Sequence, residues 1–125
     1  LRHDLPIRPE CVVKERDERG NYIHLELPEK LPTAFVCNCD LVARPFIDQL
    51  QKAGYRVPED ISIVSYDDFN NVPGSLPLTT FRVDTPAMCR IAVQLVESRC
   101  KGVVKPASRI VVGGEAVYRD SVSPV

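Results

Sequence analysis

Short apolar runs rich in β-branched residues alternate along this chain with longer segments whose apolar positions recur every three to four residues. These are the two periods that separate strands from helices. The first run is Cys11-Val12-Val13. From Gly20 to Leu27, the positions of Tyr22, Ile23, Leu25 and Leu27 read as a helix that Pro28 stops. Thr33-Ala34-Phe35-Val36-Cys37 is continuously apolar, as expected of a parallel strand covered on both faces. Asn38-Cys39-Asp40 ends it, and Asp40 is placed to cap a helix running to Ala53. Phe46, Ile47 and Leu50 share one face of that helix, and Gly54 suits its left-handed C-terminal cap. Pro45 falls about one turn inside, which predicts a kink or a late start.

Val57-Pro58-Glu59-Asp60 reads as a turn into a second strand, Ile61 to Tyr66, which ends at the pair Asp67-Asp68. The stretch from Phe69 to Pro77, with its asparagines, glycine and prolines, is an irregular loop long enough to serve a surface or interface. Leu78 to Val83 is extended. Thr85 as N-cap and Pro86 at the first helical position then open a helix to residue 101, with Met88, Ile91, Ala92, Leu95 and Val96 on one stripe and Gly102 at its end. Ile110-Val111-Val112 and Ala116-Val117-Tyr118 are strand-like, and Gly113-Gly114 between them suggests a type I′ hairpin.

This alternation is that of an α/β chain: right-handed βαβ units forming an open parallel sheet flanked by helices. Ligands of such sheets bind beyond the carboxyl ends of the strands. Those ends carry Glu15-Arg16-Asp17, Asn38-Cys39-Asp40, and Asp67-Asp68 followed by Asn70-Asn71. Carboxylates and amides in this number suit a polyhydroxylated ligand, a sugar or nucleoside, better than a phosphate. The bland alternative is that Asp40 and Asp67 only cap helices and brace loops.

Composition narrows the classes. The 125 residues carry 16 Lys plus Arg against 17 Asp plus Glu, so the chain is one domain or part of one and has no polyanion-binding excess. No apolar run approaches the ~18 residues of a membrane span, and the charged opening Leu1-Arg2-His3-Asp4 is not a signal peptide. The missing initiator Met predicts that the chain belongs to something longer. Five cysteines, an odd number set in apolar stretches, read as reduced thiols of a cytoplasmic protein. Cys37 and Cys39 lack a second ligand pair, His3 and His24 being isolated, and no nucleotide loop is present, so neither metal nor cofactor is expected. Asp67-Asp68 invites a rival reading as an acidic-site enzyme or a phospho-receiver, but no acid/base or nucleophile set is complete and adjacent strand residues face opposite ways. Arg82, Arg90, Arg99 and Arg109 are scattered and read as solvated surface.

Four motifs, Pro32-Thr33-Ala34-Phe35-Val36-Cys37-Asn38, Gly54 to Val64, Tyr66-Asp67-Asp68 and Pro77-Leu78-Thr79-Thr80, resemble in order and spacing the carboxyl-terminal part of LacI/GalR-family transcriptional repressors. The likeness runs through Met88 and Ala92 into Val117-Tyr118-Arg119-Asp120-Ser121-Val122, covering residues 31 to 123 well and 1 to 30 loosely. It implies a periplasmic-binding-protein-like type I effector domain with Rossmann-like subdomains, of which this chain is the second half. Residues 1–84 and 115–125 would form the second subdomain, partial at its start, and 85–114 would return to a first subdomain lying otherwise outside the chain. On this resemblance Gly113-Gly114 joins strands in different subdomains rather than a hairpin, and the stripe of helix 85–101 lacks much of its partner.

In that family the first Asp of the aromatic-Asp-Asp motif hydrogen-bonds effector hydroxyls, and it falls on Asp67. The residue before the Asp of the family's Asn-Asp pair also reaches the ligand; it falls on Cys39, with Asn38 before it and Asp40 after. Cys39 departs from the pattern, a thiol being a weak donor beside an amide, and Ser65 replaces a usual glycine. The family's ligand-binding Arg would lie upstream of Leu1, and its stacking aromatic has no match between Glu15 and Tyr22. Dimerisation in the family uses the segments matching 40–53 and 69–77, which makes Arg44, Phe46, Phe69 and Leu76 the interface candidates. The implied partners are a sugar-like effector, a second copy, and operator DNA through a part outside this chain, with no membrane and no catalysis. A secreted sugar receptor of a transporter would share the same clamp.

Overall fold

Phe35 meets Phe46 edge-on, with ring centroids 4.9 Å apart, and this contact seats the first strand on the first helix. The computed structural model describes residues 9–69, 73–103 and 109–124. Within them a 3-10 turn, Pro9–Cys11, precedes β1 (Ala34–Val36), α1 (Asp40–Lys52), β2 (Ser62–Asp67), β3 (Thr79–Val83), α2 (Thr85–Cys100) and β4 (Gly114–Val117). The sheet order is β1-β2-β3-β4. β1, β2 and β3 run parallel, with Phe35 opposite Ile63 and Ser65 opposite Thr80, whereas β4 is antiparallel to β3 with Thr80 opposite Val117. The sheet is therefore mixed rather than wholly parallel.

The core lies between α1 and one face of the sheet. Ala43, Phe46, Ile47 and Leu50 from the helix meet Phe35 and Ile63 from the strands, and each is buried. Helix α1 runs from Asp40 to Lys52 with Pro45 inside it, so it does not start late. Pro45 is exposed, and its missing hydrogen bond is outweighed by the buried stripe on either side of it. The helix ends as expected: Gly54, at φ +91°, donates to the Gln51 carbonyl, and the Tyr55 N–H reaches back to Leu50.

Several expectations fail on tertiary grounds. Residues 20–27 are not helical; they follow, without regular structure, a turn in which Asp17 Oδ1 accepts the N–H groups of Arg19 and Asn21 and Arg16 bridges to Tyr22. Ile110–Val112 is not a strand. Gly113-Gly114 makes no tight hairpin, because Gly114 opens a strand paired with Val83. The N-cap of α1 is Cys39, not Asp40, and that of α2 is Asp84, not Thr85, with Asp84 Oδ1 accepting from the Ala87 N–H at 2.9 Å. Strand β1 is covered on one face only, since Val36 is 85% exposed. Helix α2 buries none of its residues, so its apolar stripe lies unpacked. Asn70 and Asn71 lie outside the described residues.

The tail after β4 is stitched into the sheet. Ser121 Oγ accepts the Thr79 N–H at 2.8 Å and donates to the Ile63 carbonyl at 2.6 Å, while its own carbonyl accepts the Ile63 N–H at 2.7 Å. A hydroxyl with both a donor and an acceptor role is what lets a buried polar residue sit between two strands at low cost.

Candidate functional site

The carboxyl ends of β1 and β2 deliver Asn38-Cys39-Asp40 and Asp67-Asp68-Phe69 to the same edge of the sheet, where β3 and β4 add Arg82 and Glu115. Asp40 is buried, and its carboxylate is fully engaged. Oδ1 accepts from the Ser65 hydroxyl and from Thr80 Oγ1, the latter at 3.0 Å, and Oδ2 accepts the Phe69 N–H at 2.9 Å. Asp40, one of the expected ligand contacts, thus braces α1 against β2, β3 and the following loop with both of its carboxylate oxygens. Ser65, in place of a glycine, supplies one of those hydrogen bonds.

Asp67 and Asp68 both hold left-handed backbone, at φ +102° and +54°. Such conformations are uncommon for residues with a Cβ and need outside support. The support is visible at Asp68, whose side chain is 8% exposed: Arg82 Nε lies 2.7 Å from Oδ2 and Arg119 Nη1 2.7 Å from Oδ1. The hydrogen bond from Arg119 first, and that from Arg82, hold the Asp68 carboxyl below the usual carboxylate range against the opposing effect of burial. Arg82 also reaches Glu115 Oε1 at 2.8 Å, across the β3–β4 pair. Asp67, by contrast, is exposed, and its carboxylate has no hydrogen-bond or ion-pair partner among the described residues. It is available to accept from a ligand.

Asn38 is exposed, and its amide donates to Glu15 Oε1 at 2.7 Å. Both line a cavity of about 480 Å³ between residues 11–16 and β1, floored by Phe35, Val42 and Phe46. Neither Cys39 nor Asp67 lines that cavity, so the four expected effector contacts do not converge there. Cys39 is half-buried against the core, and burial pushes the neighbouring Cys37 thiol up to about 12. A second cleft of about 490 Å³ opens where β3 and β4 leave the sheet, lined by Arg82, Asp84, Gly114 and Glu115 among others.

Of the interface candidates, Phe46 is core, its ring being spent on Phe35. Arg44 Nη1 donates to Ser75 Oγ at 2.6 Å and to the Leu76 carbonyl at 2.8 Å, tying α1 to the loop, and Leu76 is half-buried against the core. Phe69 is 74% exposed and is the apolar anchor left at the surface of this set. The roles of Arg82, Arg119 and Glu115 carry no signal in local sequence. Arg82 was expected to be solvated surface, and only the register that sets it opposite Asp67 and Glu115 shows its use.

A periplasmic binding protein-like domain model matches residues 2–122. The HTH-type transcriptional regulator GanR of Bacillus subtilis is 33% identical over 98 residues, 78% of this chain and 30% of that protein. The HTH-type transcriptional repressor PurR of Haemophilus influenzae is 37% identical over 101 residues, again 78% of this chain and 30% of that protein. Among solved structures, a LacI family transcriptional regulator from Lactobacillus casei with bound sucrose superposes with a TM-score of 0.59 at 30% identity, covering 73% of this chain and 34% of that one. The transcriptional regulator CelR in complex with cellobiose gives 0.65 at 28% identity, covering 71% and 28%. The chain spans about a third of the length of these relatives, which are regulators rather than enzymes. No helix among the described residues is long and apolar enough to cross a membrane.

Proposed function

This chain belongs to the periplasmic-binding-protein-like domain family of LacI-type regulators, and from that premise we propose that it is the carboxyl-terminal half of the effector-sensing and dimerisation domain of a cytoplasmic DNA-binding repressor without catalytic activity. The observation that carries the reading is Asp67: an exposed, unpartnered carboxylate at a strand end, beside a second carboxylate that is fully clamped. One carboxyl group is left to accept from a ligand's hydroxyls while its neighbour builds the scaffold. The sugars in the related regulators, sucrose and cellobiose, are of the polyhydroxylated class that such an acceptor suits. Asn38, donating into the 480 Å³ cavity's rim, and Cys39 are the secondary candidates.

Residues 1–84 and 115–125 constitute one subdomain in this proposal, and 85–114 pass into the other. The unburied stripe of α2 supports the division, because an amphipathic helix with no buried residue has a partner still to meet. Effector held between two such bodies favours the relative orientation it binds more tightly. Operator DNA bound elsewhere in the repressor then changes effector affinity by the same factor as effector changes operator affinity. A second copy docks on the surface formed by α1 and the loop that Arg44 ties to it, with Phe69 as the exposed anchor.

The test is calorimetric titration of the protein at its natural length with a panel of mono- and disaccharides, repeated on Asp67→Asn. Affinity for the best sugar should fall at least tenfold in a folded variant, the worth of ~1.4 kcal/mol. Unchanged affinity would remove Asp67 from the site and the reading with it.

A further inference from the structure

Three anchors converge on the segment that follows β2. The Cα of Asp67 is still in register with Arg82 on β3. The Asp68 carboxylate is gripped by Arg82 Nε and Arg119 Nη1, each at 2.7 Å. The Phe69 N–H is held by buried Asp40 at 2.9 Å. Between the first and last anchors the backbone passes through two consecutive left-handed residues, neither of them glycine. An L-residue leaves that region for the extended one unless its surroundings over-determine it.

The two arginines sit on different parts of the chain. Arg82 is in β3, on the way to α2, and pairs also with Glu115 of β4 at 2.8 Å. Arg119 follows β4 on the way back, and the same Nη1 donates to the Leu78 carbonyl at 2.8 Å, just before β3. Its backbone is fixed to Thr79, whose Oγ1 accepts the Arg119 N–H at 2.9 Å and donates to the Arg119 carbonyl at 3.0 Å. One largely buried carboxylate therefore bridges both strands by which the chain leaves and re-enters the sheet.

We infer that Asp68 is a positioning residue: clamped by Arg82 and Arg119, it holds Asp67 in its left-handed conformation and ties the direction of the Asp67 carboxylate to the placement of β3 and β4. The functional weight of this inference rests on Asp67 contacting the effector, as proposed above. A shift of β3 and β4 relative to β2 changes the clamp geometry, and the clamp passes the change one residue along the backbone to Asp67. Conversely, a ligand that fixes Asp67 favours the strand placement that keeps the clamp closed, so the device works in both directions.

The experiment is solution NMR on the protein at its natural length, reading the strong intraresidue HN–Hα cross-peak and the small coupling constant that mark a positive φ at Asp67. In Arg82→Gln/Arg119→Gln the marker should be lost while the β3–β4 cross-strand contacts persist, and Arg82→Lys alone should retain it. Asp68→Asn, which keeps the side chain's shape and removes its charge, should lose it too and serves if the double variant does not fold. A left-handed Asp67 persisting in either folded variant would overturn the inference. Cellobiose and sucrose titrations of the protein at its natural length separate the two claims. If Asp67→Asn binds both sugars as the parent does while the NMR marker still follows the clamp, the effector reading fails and the positioning role stands.

Discussion

Replacing Asp40 with alanine should cost about 3 kcal/mol of unfolding free energy, and replacing it with asparagine about 1. The carboxylate accepts three hydrogen bonds, from the Ser65 hydroxyl, Thr80 Oγ1 and the Phe69 N–H. Ser65 and Thr80 are 3% and 2% exposed, so water cannot replace the lost acceptor. At ~1 kcal/mol net for each bond the alanine variant loses about 3 kcal/mol, with the vacated volume adding to it and relief of a buried charge subtracting. Asparagine can turn its oxygen to the Phe69 N–H and its amide to the two hydroxyls, which are free to rotate and accept. It keeps the hydrogen bonds and loses only their charge assistance. In urea, with a slope of ~1.5 kcal/mol per molar, the midpoint should drop by roughly 2 M for alanine and roughly 0.7 M for asparagine at unchanged slope. An alanine variant within ~0.5 kcal/mol of the parent, or an asparagine variant as damaged as the alanine one, would refute the bracing role.

Three further outcomes test other parts of the structure. Arg56 holds the Asp60 carboxyl down at about 2, chiefly through its side-chain hydrogen bond, so an NMR titration should find Asp60 ionised well below an ordinary aspartate and Arg56→Gln should return it toward 3.8. Because the folded value is the lower one, the stabilisation from this pair is present above the ordinary carboxylate range and is lost as pH falls toward 2; a loss on raising the pH would contradict it. Cys37 is buried with its thiol pushed up to about 12, whereas Cys89 and Cys100 are exposed. Maleimide labelling read by mass should modify the latter two in the native chain and Cys37 only on unfolding, and rapid native labelling of Cys37 would be inconsistent with this core. Gly114→Ala should destabilise by about 1–3 kcal/mol, since a Cβ there would overlap the Arg82 carbonyl oxygen and lie 2.5 Å from Phe81 Cε1. An unchanged melting temperature would mean that β3 and β4 are not paired as described.

Local pattern located most elements because strand and helix periods are properties of neighbouring residues. Strand runs at residues 33–37, 61–66 and 78–83 and helices at 40–53 and 85–101 match β1, β2, β3, α1 and α2 within a residue or two. The caps shifted by one place for a reason that local pattern does not contain. Asp40 can cap a helix, but its carboxylate is drawn to partners 25 and 40 residues away, leaving Cys39 as N-cap. The stretch 20–27 has helix-like spacing, yet only Leu25 of its four apolar residues is buried. Arg16 lies 4.1 Å over the Tyr22 ring and donates to its hydroxyl at 2.7 Å, so a local turn between residues 16 and 22, braced by side chains, displaces the helix.

The same division runs through the site. Strand ends are legible from hydrophobic pattern alone, and the loops beyond them are where parallel sheets expose polar residues, so the position of Asp67 at the carboxyl end of β2 was legible in the sequence. The sequence by itself determined the α/β alternation, the edge on which polar residues gather and, through four ordered motifs, the family. Which carboxylate is free and which is spent was decided only by tertiary structure. Arg82 meets Asp68 through the β2–β3 register, and Arg119 meets it only because β4 pairs antiparallel with β3 and Ser121 fastens the tail between the strands. Hydrogen bonds and ion pairs act over about 3 Å, and residues more than 50 positions apart, as Asp68 and Arg119 are, come within that reach only once the chain has folded.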